Sequence, residues 1–325
     1  MPKQLVLDRA AIKAVAPPIA EIVEIVEETY RMDAAGKVEA PTKIGVHPDH
    51  SNSFLHAMPA WVSAGKALGV KWISYYPGNT ARGLPSSSGL IVLNDPENGL
   101  PVAIMEGMWI TLVRTAACGA VATKYCVRGE PTRLGLIGCG GLGSSTVRVF
   151  SSVFPSIKEI RVASRTKASR HQFCDEMSGM NSCTLRPVDR VEDAVRDMDI
   201  VVSAVPKSSE RPLQGTWWSP GTVAVPLDVL TAWDDEAFTQ LDRLVTDNYE
   251  RLQGIIRQQR PNLVLPENWD SFGDVVTGRS LGRKNAQERI MVIPTGVASV
   301  DMTLAWEIYR RARRAGLGTE IDLLS

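Results

Sequence analysis

A chain of 325 residues with 44% hydrophobic content is long enough to fill real cores, which excludes disorder as its default state. Its 36 lysines and arginines balance 36 aspartates and glutamates, so no basic field exists to hold a phosphate backbone, and nucleic acid is not an expected partner. The five cysteines (Cys118, Cys126, Cys139, Cys174 and Cys183) are odd in number and form no C-x-x-C pair, which suits reduced thiols in the cytoplasm rather than a disulfide framework or a zinc site.

The first residues, Met1-Pro2-Lys3-Gln4-Leu5, lack a long apolar stretch, and no segment approaches the roughly 18 apolar residues of a membrane span, so neither export nor anchoring is expected. Asp8 can cap a short helix. Pro18 then opens an amphipathic one, in which Ile19, Ile22, Val23, Ile25 and Val26 form a stripe before Gly36. From Lys43 to about Leu93, short apolar runs such as Gly69 to Ser74 and Gly89 to Leu93 alternate with turn material, as in an antiparallel sheet. The small-residue run Thr111 to Cys126 predicts a helix, ended by Gly129 and Pro131.

Beyond Pro131 the pattern is strand, turn, helix, repeated: Leu134 to Ile137, a helix through Phe150, Ile160 to Ala163, a helix from about Lys167, then Ile200 to Val205. Units of this kind build a parallel sheet with helices on both faces. A last helix, Val300 to Ala315 with Gly316 as its C-cap, is expected to pack back on the N-terminal part.

The strongest local motif is Gly138-Cys139-Gly140-Gly141-Leu142-Gly143, between a strand and a helix. Gly138 permits a tight turn, Gly140 lets backbone approach a pyrophosphate, and Gly143 allows close helix packing, while the helix start offers free N–H donors. About twenty residues on, where NAD-selective sites carry an acid, the chain reads Ser164-Arg165-Thr166-Lys167. Charge and hydroxyl there favour NADP(H), with NAD(H) possible; the alternative is a solvated helix start.

Lys71 lies in the apolar run Val70-Lys71-Trp72-Ile73, where an ammonium needs a partner or loses its charge; the alternative is an edge-strand lysine facing water. Arg114, in a small and apolar helix start, should point at a fixed anion, either a substrate or an ion-pair partner in another domain. Asp228 follows the strand Thr222 to Val225, where a carboxyl at a sheet's C-terminal edge can shuttle a proton, or simply cap a turn. His47, Asp49, His50 and His56 cluster in sequence, but their spacing alone is weak and no metal is expected. Tyr75 and Tyr76 fit a pocket wall or a core equally.

The words KWISYYPGN, RGLP, SGLIVLND, GLPVAIMEG and ITLVRTAA, in that order before the glycine loop, and PTGVASVD near the end, resemble the ornithine cyclodeaminase and μ-crystallin family. That family includes cyclodeaminases, archaeal alanine dehydrogenase, ketimine reductases and a siderophore-pathway amino-acid dehydrogenase. The resemblance implies an α/β fold in which a Rossmann-type domain (126–299) is inserted in an α+β substrate and dimerisation domain (1–125 plus 300–325), and a homodimer. It implies that Lys71 is the active-site lysine and that Arg114 and, more loosely, Lys43 bind a substrate carboxylate. Thr115 is carried over with the glycine loop as cofactor-binding.

Asp228 matches the acid that cyclodeaminases have and μ-crystallin lacks, whereas Thr231-Ala232-Trp233-Asp234 departs from the D-C-P-G run of ornithine cyclodeaminases. The expected activity is NAD(P)H-dependent oxidoreduction at the C–N bond of an α-amino acid or its ketimine or cyclic imine. The rivals are an ammonia-releasing cyclodeaminase and a non-catalytic small-ligand-binding protein.

Overall fold

The computed structural model describes residues 3–48, 52–179, 182–206 and 210–323. Along the chain run β1 (Gln4–Leu7), α1 (Arg9–Val15), α2 (Ile19–Ala34), β2 (Val38–Glu39), β3 (Ile44–Val46), β4 (Phe54–Val62), β5 (Ala67–Tyr75), β6 (Ser87–Asn94), β7 (Pro101–Glu106) and α3 (Met108–Lys124). There follow β8 (Arg133–Ile137), α4 (Gly141–Val153), β9 (Glu159–Ala163), α5 (Lys167–Met177), β10 (Thr184–Pro187), β11 (Ile200–Ser203), β12 (Val223–Pro226), α6 (Glu236–Thr239) and β13 (Arg243–Thr246). The last elements are α7 (Tyr249–Gln259), β14 (Trp269–Ser271), α8 (Phe272–Val276), β15 (Ile290–Ile293), α9 (Ala298–Ala315) and β16 (Thr319–Ile321).

Two compact units result, one holding the residues up to Arg114 and those from Val297 on, the other Thr115–Gly296. The division therefore falls inside α3. In the first unit β4 to β7 form an antiparallel meander, extended by β2 and β3 on β4 and by β1, which runs parallel to β7 and antiparallel to β16. Strand alternation puts Met58, Ala60, Val62, Ala67, Ile91, Leu93, Ala103 and Met105 on one buried face. Against that sheet lies α9, with Val300, Leu304, Ala305 and Ile308 buried, and α2, whose Ile22, Val26 and Tyr30 are buried, packs on α9 with Thr29 Oγ1 and Thr303 Oγ1 2.9 Å apart. Each such aliphatic side chain contributes about 1.5–3 kcal/mol. As expected from Gly316, α9 ends on a left-handed C-cap with φ 64°.

The opposite face is open. Register places Ile44, Ala57, Trp72 and Leu90 in one row across four strands, and Ile44, Trp72 and Leu90 are exposed, with Val46 beside them.

In the second unit eight described strands lie all parallel in the order β10-β9-β8-β11-β12-β15-β13-β14. The runs IVVS, VAVP, RLVT and IMVI are buried throughout, as strands covered on both faces must be. The first strand of this unit, β8, lies between β9 and β11, so the winding reverses at its C-terminal end. Ligands of open α/β sheets bind at such a switch point.

Candidate active site

In the meander unit, Lys71 sits on β5 between β4 and β6, on the face that carries the buried Met58 and Ile91. It is therefore no edge-strand lysine, and its 0% exposure means the ammonium must be paired. The pair is Asp301, in the first turn of α9: Lys71 Nζ donates to Oδ2 at 2.6 Å. Arg114 Nε donates to the other oxygen, Oδ1, at 2.9 Å.

One carboxylate thus ties a central strand, α3 and α9 together, and a helix N-terminus is a favourable place for its charge. Burial by itself would raise the Asp301 pKa, but the charges of Arg114 and Lys71, with their hydrogen bonds, outweigh it and hold the group below the ordinary carboxylate range. In the sequence Asp301 stands only as the last residue of PTGVASVD, with no role of its own. The signal was there, an acid among the apolar and small residues Ala298, Val300 and Met302, all buried.

Lys43 is half-buried in the segment leading into β3. His47, which is exposed, meets the ring of His56 edge-on at 5.9 Å, and His56 stacks on Phe54 at 4.1 Å, with Tyr75 next to Phe54. Among the described residues no group of three or more histidines, cysteines or carboxylates is placed to hold a metal ion. Asp49 and His50 lie outside those residues.

In the parallel-sheet unit the glycine loop follows β8 directly and runs into α4. A Cβ on Gly138 (φ +121°) would lie 2.4 Å from the Ala204 carbonyl oxygen, and one on Gly143 would lie 2.3 Å from that of Gly138. Neither position admits a side chain. At Gly140, the N-cap of α4, a Cβ would meet nothing within 4 Å. The surface there is open backbone at a helix start, with Gly141 exposed and Leu142 half-buried beside it, which fits a dinucleotide pyrophosphate. Thr115 is half-buried on α3.

At the end of β9, Thr166 caps α5 by accepting from Ser169 N at 3.2 Å, and Ser164 Oγ bonds to Ser169 Oγ at 2.8 Å. These hydroxyls set the loop, while Arg165 and Lys167 are exposed.

Asp228 lies just past β12, on the same C-terminal edge of the sheet. Val205 N donates to its Oδ2 at 3.4 Å, so the segment that crowds Gly138 through Ala204 also touches this carboxyl. The residue as a whole is half-buried, but Oδ1 is withdrawn from solvent and accepts no hydrogen bond of good geometry from the described residues. Burial pushes its pKa up to about 6, with Ser203 and the backbone of Val205, Thr231 and Ala232 pulling the other way. The turn that presents it is strained: Val229 (φ 52°) and Leu230 (φ 72°) are both left-handed. That conformation costs roughly 1–2 kcal/mol per residue for anything but glycine, and a β-branched side chain suffers most. Such outliers persist only where surrounding structure holds them.

The model of the ornithine cyclodeaminase/mu-crystallin family matches residues 3–316. The chain is 34% identical to the nodulation efficiency protein NfeD of Rhizobium meliloti, over 97% of this chain and 98% of that one. Its fold is similar to that of a Delta(1)-pyrroline-2-carboxylate reductase of Thermococcus litoralis in complex with NADH and L-proline, with TM-score 0.90, 28% identity, and 98% and 100% of the two chains covered. An archaeal alanine dehydrogenase dimer with bound NAD gives TM-score 0.89 and 25% identity, with 99% and 100% covered.

Proposed function

Because the chain belongs to the ornithine cyclodeaminase/mu-crystallin family, we propose that it is an NAD(P)H-dependent oxidoreductase acting on the C–N bond of an α-amino acid or its ketimine or cyclic imine. The observation that carries this reading is Asp228: a carboxyl with a pKa of about 6 stands on the same sheet edge as the glycine loop. A group that titrates near neutrality can give a proton to nitrogen during imine reduction and take one during amine oxidation. Gly138, Gly140, Gly141, Leu142 and Gly143, with Thr115, would hold the dinucleotide, which when bound supplies or accepts the hydride.

Lys71 and Arg114, both fixed by Asp301, hold the substrate carboxylate with Lys43; fixed cations lose little freedom when the anion arrives. Exposed Arg165 and Lys167 at the start of α5, with Ser164 and Thr166, support NADP(H) over NAD(H). The apolar row Ile44, Trp72 and Leu90 supports a homodimer built on the open sheet face, where a lone chain would leave large side chains in water. The likeness to an archaeal dimer points the same way. A cytoplasmic location is part of the proposal: the five cysteines are free thiols, and no helix among the described residues is long and apolar enough to cross a membrane.

The test is consumption of NADPH and NADH by purified protein with pyrroline- and piperideine-carboxylates and with pyruvate plus amines. Consumption with NADPH preferred is the expected result. Ammonia release from ornithine or lysine without net change in the cofactor would instead make the protein a cyclodeaminase. Tight cofactor binding with no turnover on any of them would leave a ligand-binding protein. Trp72→Glu is expected to shift the mass seen by light scattering from dimer to monomer.

A further inference from the structure

The turn after β12 poses a physical question. Glycine adopts positive φ freely, yet the chain places Val229 and Leu230 there, so something beyond local preference must hold them. Downstream, residues 232 to 234 are well anchored. Leu213 N donates to Ala232 O at 3.0 Å, Asp234 N donates to Leu213 O at 2.9 Å, and Trp233 is fully buried against Trp218. The left-handed pair itself lies between this anchor and Asp228.

Arg260 spans that interval. It directly follows α7, its N–H bonded to Ile256 O at 2.7 Å, and it is 7% exposed, with its guanidinium 5.6 Å from the centre of the Phe238 ring. From there Nη2 donates both to Leu230 O and to Trp233 O, and Nη1 donates to Asp235 Oδ1 at 3.3 Å. One nitrogen, Nη2, therefore bridges the anchored Trp233 and the left-handed Leu230, while Nη1 on the same rigid plane reaches Asp235, a three-point hold that a lysine ammonium matches less well.

We propose that Arg260 is a positioning residue for the reaction: by gripping the carbonyls of Leu230 and Trp233 it holds the left-handed turn from which the Asp228 carboxyl is presented. The inference rests on the reading of Asp228 as the proton carrier. Arg260 touches no reacting atom. Its effect is on aim, so its loss should lower turnover and leave binding alone.

The experiment compares Arg260→Gln, Arg260→Lys, Arg260→Gln with Val229→Gly, and Asp228→Asn, in the full-length protein, by kcat, KM and the pH profile of kcat. Arg260→Gln is expected to lower kcat about tenfold or more, since misplacing a catalytic group by an ångström costs up to about a hundredfold. KM for substrate and cofactor should stay within about threefold, and the titration in the kcat profile should keep its midpoint. Arg260→Lys should fall between, and it serves if the glutamine variant does not fold. Adding Val229→Gly should recover much of the lost kcat, because glycine enters the left-handed region without a clamp; a residue that merely stabilised the fold would show no such rescue.

Wild-type kcat in both single Arg260 variants would overturn the proposal. So would a loss that Val229→Gly does not relieve, or a shifted midpoint with an intact plateau, which would make Arg260 a charge rather than a clamp. Where Asp228→Asn is inactive and the Arg260 variants are not impaired, only the positioning role falls. Where Asp228→Asn is fully active, the proton-carrier reading falls and takes the positioning role with it.

Discussion

Asp301 in the meander unit and Asp228 in the parallel-sheet unit are both acids with oxygens withdrawn from water, yet their pKa values move in opposite directions. The desolvation acts on both. What differs is the company: Asp301 has a cation on each oxygen, whereas the hydrogen-bonding neighbours of Asp228 among the described residues are neutral, with a weak backbone donor on one oxygen and no well-aligned hydrogen bond on the other. The first is a permanent charge that fixes two cations, and the second is a group free to gain and lose a proton. In the proposed function, the first acid keeps the carboxylate-holding cations in place and the second moves the proton, a division of roles set by their surroundings.

The most drastic way to break this contrast is Asp301→Asn. Removing one partner from a buried ionic cluster costs about 3–5 kcal/mol, because Lys71 and Arg114 lose the charge they share. We expect a loss of unfolding free energy of that size, read from chemical denaturation, together with loss of turnover. The double variant Asp301→Asn, Lys71→Met should be less destabilised than the sum of the two single variants, as groups in one network do not act additively. Additive losses would dissolve the cluster as a unit.

Asp228→Asn tests the other acid. It should lower kcat by about 10²–10⁴-fold, the usual worth of acid–base catalysis, with the titration near pH 6 gone from the profile. In wild type, imine reduction should fade as pH rises through about 6 and amine oxidation should strengthen, because the donor form gives way to the acceptor form.

The contrast was only half readable in the sequence. Charges in apolar runs announced Lys71 and Arg114, and the glycine loop announced β8 and α4, because each is a local anomaly within about ten residues. The partner of both cations lies 230 and 187 positions away, at a distance no periodicity reaches. The same holds for β1 pairing with β7 and for Arg260, whose neighbours Gln258 and Gln259 mark an ordinary polar helix end. Val229 and Leu230 carried the opposite signal, since both residue types prefer negative φ.

Stability against pH separates the two acids more finely. The folded pKa of Asp228, about 6, exceeds its unfolded value of 3.8, so between these values the folded state holds a proton that the unfolded state has lost. Its contribution is fully present below pH 3.8 and is lost as pH rises through about 6, amounting to about 3 kcal/mol at most. Asp301 has the reverse sign: its contribution is present above the unfolded value and is lost as pH falls through the lowered folded pKa. Chemical denaturation of Asp228→Asn between pH 2 and 7 should show a flatter profile than wild type between about pH 4 and 6, the same slope above that, and the same collapse in stronger acid. A wild-type slope in the variant would mean that another group carries it.

The smallest expected effect extends the comparison from acids to cations. Lys71 and Arg114 are buried and fixed, whereas Arg165 is exposed, so water and salt screen whatever it holds. Arg165→Ala should therefore cut the preference for NADPH over NADH by only about tenfold in kcat/KM, or about 1.4 kcal/mol, and the cut should shrink as ionic strength rises. The variant should leave the NADH rate itself unchanged, since a guanidinium facing a 2′-phosphate has nothing to grip when that phosphate is missing. If the ratio does not move, Arg165 is part of a solvated helix start. The choice of cofactor then falls to Lys167 and to Ser164 and Thr166, whose hydroxyls are already engaged with Ser169.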